Sequence, residues 1–475
     1  MKKYEHAFGK NDIRGIYGDD ITEDLFYNTG RAFIKYLNKH SGKNAEEITI
    51  TVTRDARTHS PSLAEALIEG VCSTGAKVYD LGLAPTPIGY YSEAVMDDVI
   101  GALIITASHN PKQYNGLKMT FNKQTLNEAQ IKEIKELTLA DMTERIPQTN
   151  LRCESLNIIP DYIKDMKNRF EQIGKGIKVV VDSANATGGV VAPELYRELG
   201  CEVIELFSEP DGNFPNHHPN PSDLKTLDTI KKTVIKEKAD IGIAFDGDSD
   251  RIGVITSNGE PLTGDKLLLI YAQDIIKKGE KPTVVSEVKC SQVLFDTINN
   301  LGGHAVMCKT GHGYIKDKMK ETNAVLAGEM SGHTFFKDRY YGFDDAVYAG
   351  CRIIEIIAKN KNLNPDFKIQ DMLKPFDTVS TSDEVRFPCP NEKKQDVLKK
   401  FQNCVETNRN LFGSDIKEII TLDGMRIVFD GGFALIRQSN TEPVFTLRFE
   451  GKTQKECRNF QACMINTLED CLKQS

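Results

Sequence analysis

Apolar strands that alternate with amphipathic helices recur along this chain, and they restrict it to folds built on buried β-sheets. Ile48–Val52 is a β-branched strand, and Ser60 then serves as the N-cap of a helix. Val99–Thr106 is almost entirely apolar, which is typical of a parallel strand covered on both faces. The pattern starts again at Lys178–Asp182 and at about Gly264. The sequence therefore predicts three successive α/β units.

Beyond residue 375 the pattern changes to strands and helices of α+β type, with Asp430-Gly431-Gly432 as a hairpin turn. We therefore expect three similar α/β domains followed by a C-terminal α+β domain. The predicted domains are residues 1–153, 154–258, 259–375 and 376–475. At about 150 residues per domain, the length of 475 residues predicts roughly three domains, and possibly four small ones.

Composition excludes several classes of protein. The net charge is −8 and no basic run stands out, so a nucleic-acid partner is not expected. Apolar stretches stay well below the ~20 residues that span a bilayer, and the first residues lack a signal core, so no membrane partner is expected. The 11 scattered cysteines favour reduced thiols in a cytoplasmic protein. The oligomeric state is left open between a monomer and a homodimer.

Four polar loops follow apolar strands, where open α/β sheets bind their ligands. The first is Thr106–Pro111 (TASHNP), in which Ser108 stands beside His109, with Lys118 shortly after. A serine held on a turn near such groups is a candidate nucleophile or phosphate carrier. A hydrogen-bonded turn ended by Asn-Pro explains the same residues. The GxSxG pattern is missing, so ordinary esterase chemistry is poorly supported.

The second loop, Asp246–Arg251 (DGDSDR), is acidic. Alternate side chains of an extended loop share a face, so Asp246, Asp248 and Asp250 are expected to converge. Three crowded anions need a cation, and the small number of protein ligands favours Mg²⁺. A calcium EF-hand is excluded, because Arg251 stands where its glycine belongs. A solvated acidic turn is the alternative.

The third loop, Gly328–His333 (GEMSGH), holds Glu329 and Ser331 between glycines. Such carboxylate and hydroxyl groups suit hydrogen bonds to sugar hydroxyls, and His333 could transfer protons. A glycine turn with a structural histidine fits the same residues equally well.

The fourth loop, Arg437–Pro443 (RQSNTEP), is a candidate phosphate clamp, because arginine offers a planar fork to phosphate oxygens. An asparagine-centred surface turn is the alternative. Since the whole chain is acidic, positive charge for an anionic ligand must be local. The further groups that could supply it are Arg14, Lys289, Lys309 and His312.

In their order along the chain, one per predicted domain, these loops resemble those of the α-D-phosphohexomutase superfamily. The pattern is most similar to its bacterial phosphomannomutase/phosphoglucomutase group, and the resemblance spans nearly the whole chain. Asn11 before Asp-Ile-Arg-Gly and Thr53 before Arg54-Asp55-Ala56-Arg57 depart from the usual residues. The resemblance implies a four-domain enzyme with its active site in a central cleft.

The resemblance also implies roles for individual residues. Ser108 matches the phosphoserine, and Asp246, Asp248 and Asp250 match ligands of Mg²⁺, with a phosphoserine oxygen completing the site. Glu329 and Ser331 match the sugar-recognition loop. The residues that match the loop for the non-reacting phosphate are Arg437, Ser439, Asn440 and Thr441. The further residues expected in proton transfer or phosphate contact are Arg14, His109, Lys118, Lys289, Lys309, His312 and His333, with the general base left open.

The implied reaction interconverts hexose 1-phosphate and hexose 6-phosphate. Phospho-Ser108 gives its phosphoryl group to the substrate, the hexose 1,6-bisphosphate reorients, and the other phosphate returns to the serine. Glucose 1,6-bisphosphate is the expected activator. Glu329 before Met-Ser favours mannose or glucose, with mannose slightly preferred, whereas phosphoglucosamine mutases usually carry glutamine there. A phosphoglucosamine mutase is the alternative.

Two other functions fit part of the same sequence features. A haloacid dehalogenase-type sugar phosphatase has a DxD motif after an apolar strand, with Asp246 as nucleophile and Asp248 as acid, but Asp250 stands where that family prefers Thr or Val. A non-catalytic sugar-phosphate binding protein on the same scaffold is the other rival. The intact Ser108 and aspartate triad argue against it.

Overall fold

The computed structural model describes residues 4–147, 149–276, 281–439 and 442–474. The chain forms two compact units, which comprise Met1–Leu262 with Ser331–Lys368 and Thr263–Met330 with Ile369–Ser475. Its secondary structure builds three α/β/α domains and a C-terminal domain with an antiparallel sheet, as the sequence predicts. The exact domain limits stay predictions. In the described part of the chain, the helices are too short or too polar to cross a membrane.

The first domain is built on a mixed sheet in the order β1-β5-β4-β2-β3-β7, with β6 beside β5. Its elements are β1 (Ile13–Ile16), α1 (Glu23–Ser41), β2 (Thr49–Arg54), α2 (Ser60–Cys72), β3 (Lys77–Leu83), α3 (Thr86–Val95), β4 (Val99–Ile105), β5 (Tyr114–Phe121), β6 (Gln124–Thr125), α4 (Glu128–Ala140) and β7 (Cys153–Ser155). Leu63, Leu67 and Val71 form an apolar stripe along α2 and are fully buried in the core of this domain.

The second domain has a five-stranded sheet in the order β12-β11-β10-β8-β9. Its elements are α5 (Ile159–Phe170), β8 (Lys178–Asp182), α6 (Ala192–Glu198), β9 (Glu202–Leu206), α7 (Asp228–Glu237), β10 (Ile241–Phe245), β11 (Ile252–Thr256) and β12 (Pro261–Leu262). All five residues of β10 are buried, as its apolar sequence predicts.

The segment that follows is divided between the two compact units. Its elements in the second unit are α8 (Gly264–Ile276), β13 (Thr283–Glu287), α9 (Gln292–Asn300), β14 (His304–Cys308), α10 (His312–Thr322) and β15 (Leu326–Gly328). There β13 pairs in parallel with both β14 and β15. The elements that belong to the first unit are β16 (Thr334–Phe336) and α11 (Ala346–Leu363).

The C-terminal domain has an antiparallel sheet in the order β17-β22-β21-β20-β19, with β18 also beside β22. Its elements are β17 (Ser380–Thr381), β18 (Val385–Pro388), α12 (Lys394–Thr407), β19 (Glu418–Ile420), β20 (Met425–Phe429), β21 (Gly432–Gln438), β22 (Val444–Gly451) and α13 (Gln454–Lys473). The hairpin predicted at Asp430-Gly431-Gly432 joins β20 to β21. Short 3₁₀ helices lie at Glu5–Ala7, Ala45–Glu47, Thr187–Val190, Leu224–Leu227 and Ile369–Thr378.

The first two sheets are mixed, whereas their apolar strands suggested parallel sheets. β5 runs antiparallel to β4, and β11 runs antiparallel to β10. The loops between these strands are too short for the crossover that parallel neighbours need, usually a dozen or more residues. The loops that carry Ser108 and the three aspartates are therefore tight connections at the carboxyl ends of β4 and β10.

The role predicted for Ser60 is wrong. His59 is the N-cap of α2 and Ser60 is its first residue. The Ser60 hydroxyl instead donates a hydrogen bond to Oδ1 of the buried Asp55, at 2.6 Å. A buried carboxylate needs donors more strongly than a helix terminus does, because its desolvation is costly.

Candidate active site

Ser108 lies on a strained turn directly after β4. Its backbone is in the left-handed region, with φ of 49°, which costs a residue with a Cβ atom about 1–2 kcal/mol. The Ser108 amide donates to Oγ1 of Thr106 at 2.8 Å. The side chain is almost completely buried. Such strain is kept only where the surrounding structure fixes it, which often marks a functional site.

The aspartate loop between β10 and β11 is a turn rather than the extended segment expected from the sequence. Ser249 has φ of 59°, and its amide donates to the Asp246 carbonyl at 3.2 Å. Asp246, Asp248 and Asp250 converge all the same, since one oxygen from each lies within 4.8 Å of the others. All three residues are buried, so a solvated acidic turn is excluded.

The Ser108 turn and the aspartate loop are in direct contact. The Ser108 hydroxyl donates to Oδ2 of Asp246 at 2.7 Å. A Cβ atom on Gly247 would lie 2.3 Å from the Ser108 carbonyl oxygen, which is far inside van der Waals contact. Only glycine therefore fits at this position without moving the serine. The structure thus joins the serine loop and the aspartate loop into one site.

The charges of the triad are partly neutralised by Lys118 on β5. Its ammonium group lies 2.7 Å from Oδ2 of Asp248 and also hydrogen-bonds Oδ2 of Asp250. Burial opposes the charge on Lys118, but the two carboxylates raise its pKa well above the ordinary value. Burial also acts to raise the pKa of Asp250, yet Lys118 and His333 together lower it. Burial and the charges of Asp248 and Asp250 raise the pKa of Asp246 well above its ordinary range.

The carboxylate oxygens of the triad are suited to binding a metal cation. Oδ1 of Asp248 and Oδ1 of Asp250 are buried and accept no hydrogen bond from the part of the chain that the structure describes. Buried carboxylate oxygens without a partner are costly. A hard divalent ion with oxygen ligands would satisfy both atoms.

His333 and His109 lie in the same buried region. Nε2 of His333 accepts a hydrogen bond from Nε of Arg251 at 3.0 Å. Nδ1 of His333 lies 3.3 Å from Oδ2 of Asp344 and 3.6 Å from Oδ1 of Asp250. Since Nε2 accepts, the proton of a neutral imidazole is on Nδ1, facing these carboxylates. Nδ1 of His109 lies 3.3 Å from the Ser108 hydroxyl.

The electrostatic surroundings keep His109 neutral and Arg14 charged. Burial and the charges of Arg251 and Arg14 lower the pKa of His109 far below its ordinary value. Burial opposes the charge on Arg14, but nearby aspartates raise its pKa. Arg14 pairs with Asp12, and its Nη1 donates to the Asn110 side chain in the Ser108 loop at 3.1 Å.

The second compact unit gathers a separate set of the predicted residues around the loop 309–312. The Gly311 amide donates to Oε1 of the buried Glu329 at 2.7 Å. Glu287 accepts from the Met330 amide at 2.8 Å and from the Thr310 hydroxyl, so it ties the loop to the end of β15. Lys309 lies beside Tyr314, and His312 is the first residue of α10.

Arg437 is tied to the same loop through an aspartate. Oδ2 of Asp423 accepts from Nε of Arg437 at 3.1 Å and from the Thr310 amide at 3.1 Å. The Lys289 ammonium group lies 3.6 Å from Oε1 of Glu287. The Ser439 hydroxyl accepts from the Glu442 amide at 3.1 Å. Asn440 and Thr441, predicted to bind phosphate, lie outside the described residues.

Glu329 and Ser331, predicted as one sugar-recognition loop, belong to different compact units. Glu329 lies in the second unit and Ser331 in the first. The Ser331 carbonyl accepts a hydrogen bond from the Ser222 hydroxyl at 3.0 Å.

Three residues at the site were missed by sequence reasoning. The Thr86 hydroxyl donates to Oδ2 of Asp248 at 2.6 Å, and its amide donates to the Asp248 carbonyl at 2.8 Å. Arg57 donates to the Ser108 carbonyl, and Asp344 faces His333. The pattern Pro85-Thr86-Pro87 after β3 was an available signal for Thr86, whereas Asp344 carries no local signal.

Comparison with known proteins identifies the family. Family models for phosphoglucomutase/phosphomannomutase match in succession: α/β/α domain I at residues 5–145, domain II at 160–259, domain III at 263–374 and the C-terminal domain at 384–466. The chain is 37% identical to a phosphomannomutase/phosphoglucomutase of Pseudomonas aeruginosa over 97% of its length and 95% of the relative. It is 36% identical to a phosphoglucomutase of Neisseria meningitidis over 96% of its length and 95% of the relative.

A solved structure agrees with these matches. It is that of a phosphoglucomutase/phosphomannomutase family protein from Burkholderia thailandensis, with a TM-score of 0.86 and 33% identity, covering 98% of this chain and 97% of the other. The matches run the length of the chain and leave the phosphatase hypothesis without support. The chain belongs to the phosphoglucomutase/phosphomannomutase family of the α-D-phosphohexomutase superfamily and is an intramolecular phosphotransferase of that type.

Proposed function

We propose that this mutase interconverts the 1-phosphate and 6-phosphate of a hexose through a phosphorylated Ser108. The observation that carries the proposal is the hydrogen bond of 2.7 Å between the Ser108 hydroxyl and Asp246, inside a buried triad of aspartates. A buried serine beside three carboxylates is poorly suited to binding alone. It is well suited to carrying a phosphoryl group that a nearby cation neutralises.

The reaction proceeds in two transfers. The free hydroxyl of a hexose monophosphate attacks phosphorus, the bond between phosphorus and Oγ of Ser108 breaks, and a hexose 1,6-bisphosphate forms. After the bisphosphate has turned around, Oγ of Ser108 attacks its other phosphate, and the isomeric monophosphate leaves. The phosphoserine is thereby restored for the next turnover. Because a bisphosphate gives its phosphoryl group to a free Ser108, a trace of glucose 1,6-bisphosphate activates the unphosphorylated enzyme.

The metal site of this proposal consists of Ser108, Asp246, Asp248 and Asp250, and its ion is Mg²⁺. The Oδ1 atoms of Asp248 and Asp250, which accept no hydrogen bond from the residues that the structure describes, support this assignment. When bound, Mg²⁺ supplies positive charge to the phosphoryl oxygens. Lys118 adds a second positive charge from the protein itself, because its ammonium group is held against two of the same carboxylates.

The residues proposed to hold and move protons all belong to the first unit. Lys118 keeps its proton because of its raised pKa, so it can donate at Nζ to a leaving oxygen. His109, which lies beside the Ser108 hydroxyl, and His333 are the candidates for accepting the hydroxyl proton. Arg14 orients the Ser108 loop through Asn110. The general base is left open between the two histidines.

Substrate binding is assigned to the residues that the resemblance to the family implies. Glu329 and Ser331 are proposed to bind sugar hydroxyls. Lys289, Lys309 and His312 are proposed as further substrate-binding groups. The residues proposed to bind the non-reacting phosphate are Arg437, Ser439, Asn440 and Thr441. Arg437 and the loop 309–312 share the bridging Asp423, which supports their acting together. Mannose and glucose phosphates are the proposed substrates, and glucosamine phosphate is the alternative.

A ³¹P NMR time course tests the proposal directly. The enzyme is incubated with mannose 1-phosphate, Mg²⁺ and a trace of glucose 1,6-bisphosphate, and then with the glucose and glucosamine phosphates. We expect a 6-phosphate resonance to grow at the expense of the 1-phosphate resonance. Release of inorganic phosphate alone, or no change with any of the three sugars, would contradict the proposal.

Substitution of the serine provides the control. Ser108→Ala should lower mutase turnover by at least about 10³-fold, because the phosphoryl carrier is lost. Ser92→Ala is the matched variant, since Ser92 is also buried in the first unit but bonds Thr51, away from the aspartates. Its turnover should stay near the wild-type value. Substantial isomerisation by Ser108→Ala would remove Ser108 from the mechanism.

A further inference from the structure

Arg57 is a fully buried arginine that uses all five of its side-chain N–H groups next to the Ser108 turn. Nε donates to Oδ2 of Asp55 at 3.0 Å. The two terminal nitrogens donate to four backbone carbonyl oxygens, with Nη2 bonded to Ser108 at 2.8 Å and Asn110 at 2.7 Å, and Nη1 bonded to Pro111 at 2.7 Å and Tyr114 at 3.1 Å. The guanidinium group therefore holds the loop by its backbone, independently of the loop's side chains.

The guanidinium group is itself held in place by an anchored carboxylate and by an aromatic ring. Asp55, which pairs with its Nε, accepts a hydrogen bond from the Ser60 hydroxyl at 2.6 Å. The Asp55 amide donates to the Ile105 carbonyl at 2.9 Å, at the end of β4. The ring of Phe214, from the second domain, lies 5.4 Å from the guanidinium carbon. Arg57 thus connects the loop to the end of the central strand from which the loop starts.

The backbone of Ser108 needs such support. Its left-handed conformation is disfavoured for serine, and relaxation of the turn would rotate the hydroxyl away from Asp246. A bond from a cation to the serine's own carbonyl oxygen opposes that rotation directly. The neighbouring bond to Asn110 fixes the next turn of the loop in the same way.

We propose that Arg57 is a positioning residue for phosphoryl transfer, which sets the place of Oγ of Ser108 by clamping the loop's carbonyl oxygens. This inference rests on the proposed role of Ser108 as the phosphoryl carrier. Arg57 does not touch the reacting atoms, since its bonds go to Asp55 and to backbone carbonyls. Its loss should therefore slow the transfer without weakening the binding of the hexose phosphate.

Arg57→Lys is the first test, because lysine keeps the charge but cannot present five N–H groups in a fixed plane. We expect kcat to fall by about 10- to 100-fold, the range that a displacement near 1 Å costs, while KM for the hexose phosphate changes by less than about threefold. The ³¹P resonance of phosphorylated Ser108 should shift or broaden. Arg352→Lys is the matched control, since Arg352 is equally buried but pairs with Asp338.

The control separates positioning from stability. Both lysine variants should lose stability to urea, but only Arg57→Lys should lose kcat and change the phosphoserine resonance well below the unfolding midpoint. Equal kcat values in Arg57→Lys and the wild type would overturn the inference. A wild-type enzyme that turns over without phosphate on Ser108 would instead overturn the proposed function, so the two failures are distinguishable.

A milder variant tests the role of Arg57 if Arg57→Lys does not fold. Ser60→Ala removes one donor to Asp55 and so loosens the anchor of the guanidinium group. It also removes an acceptor of the Asn115 side chain on β5, but it removes none of the bonds from Arg57 to the loop. We expect kcat to fall about two- to fivefold with KM unchanged. An unchanged kcat in folded Ser60→Ala, together with an unfolded Arg57→Lys, would count against the clamp.

Discussion

The hydroxyl of Thr86 offers a sharp test of the proposed metal site. It is buried at the start of α3 and donates to Oδ2 of Asp248 at 2.6 Å, while its amide donates to the carbonyl of the same aspartate. Thr86→Val removes only the hydroxyl donor, because valine has nearly the same shape and keeps the amide. The variant therefore asks what one hydrogen bond to a proposed metal ligand contributes.

The magnitude follows from the chemistry of this bond. A buried hydrogen bond to a charged group contributes about 1.5–3 kcal/mol. If that energy orients Asp248 for the ion, its loss weakens ion binding by roughly 10- to 100-fold, which is also the usual cost of losing a hydrogen bond to a metal ligand. Lys118 still bonds Oδ2, so we expect the lower half of that range.

The measurement is the initial mutase rate as a function of Mg²⁺ concentration. Thr86→Val should need about 10-fold more Mg²⁺ for half-maximal activity, and its rate at saturating Mg²⁺ should fall much less. Direct titration with Mn²⁺, followed by electron paramagnetic resonance, should give the same ratio without relying on activity.

Thr51→Val is the matched control for Thr86→Val. Its hydroxyl lies 2.8 Å from that of Ser92 on α3, so the variant perturbs the same helix without touching the aspartates. The Mg²⁺ requirement of Thr51→Val should stay at the wild-type value. If both valine variants need the same Mg²⁺ concentration as the wild type, then Thr86 does not orient a metal ligand and the reasoning is refuted.

Three further predictions concern other parts of the chain. Arg437→Ala should raise KM for the hexose phosphate by about 10-fold or more with a smaller effect on kcat, as measured by steady-state kinetics. Arg426→Ala should lower the free energy of unfolding by about 3 kcal/mol in urea titrations, because the buried guanidinium donates to the carbonyls of Val288 and Cys290. Burial raises the pKa of Asp345 to about 6, so the folded protein binds its proton more tightly than the unfolded chain does. The resulting stabilisation, about 3 kcal/mol below pH 4, is lost as the pH rises to 6. Asp345→Asn should therefore gain stability relative to the wild type over that range, and parallel urea midpoints at each pH would contradict this.

Sequence patterns predicted the domain classes because apolar strands and helix stripes are local properties. The buried strand β10 and the stripe of α2 follow directly from side-chain periodicity. Strand direction was less accessible, since an apolar strand has the same composition in parallel and antiparallel pairs. The short loops after β4 and β10 are the sequence feature that distinguishes antiparallel from parallel pairing here.

The sequence predicted the part of the candidate site whose charged residues are close together in the chain. The three aspartates occupy five consecutive residues, so their convergence could be expected even though the loop is a turn. Thr86 and Arg57 reach the site from β-strand ends that are distant in sequence, and neither type of side chain is unusual on a surface. Their importance is visible only in the hydrogen bonds that they make after folding.

If Ser108 carries the phosphoryl group as proposed, its bond to Asp246 has a thermodynamic consequence. Phosphorylation replaces that donor by a group with a charge of about −1.5 to −2, placed beside three carboxylates. The proposed phosphoenzyme is therefore expected to bind a divalent cation more tightly than the unmodified enzyme does. By linkage the cation must stabilise the phosphoserine by the same free energy. In this mechanism the affinity for the cation and the stability of the phosphoserine are therefore linked, and neither can change without the other.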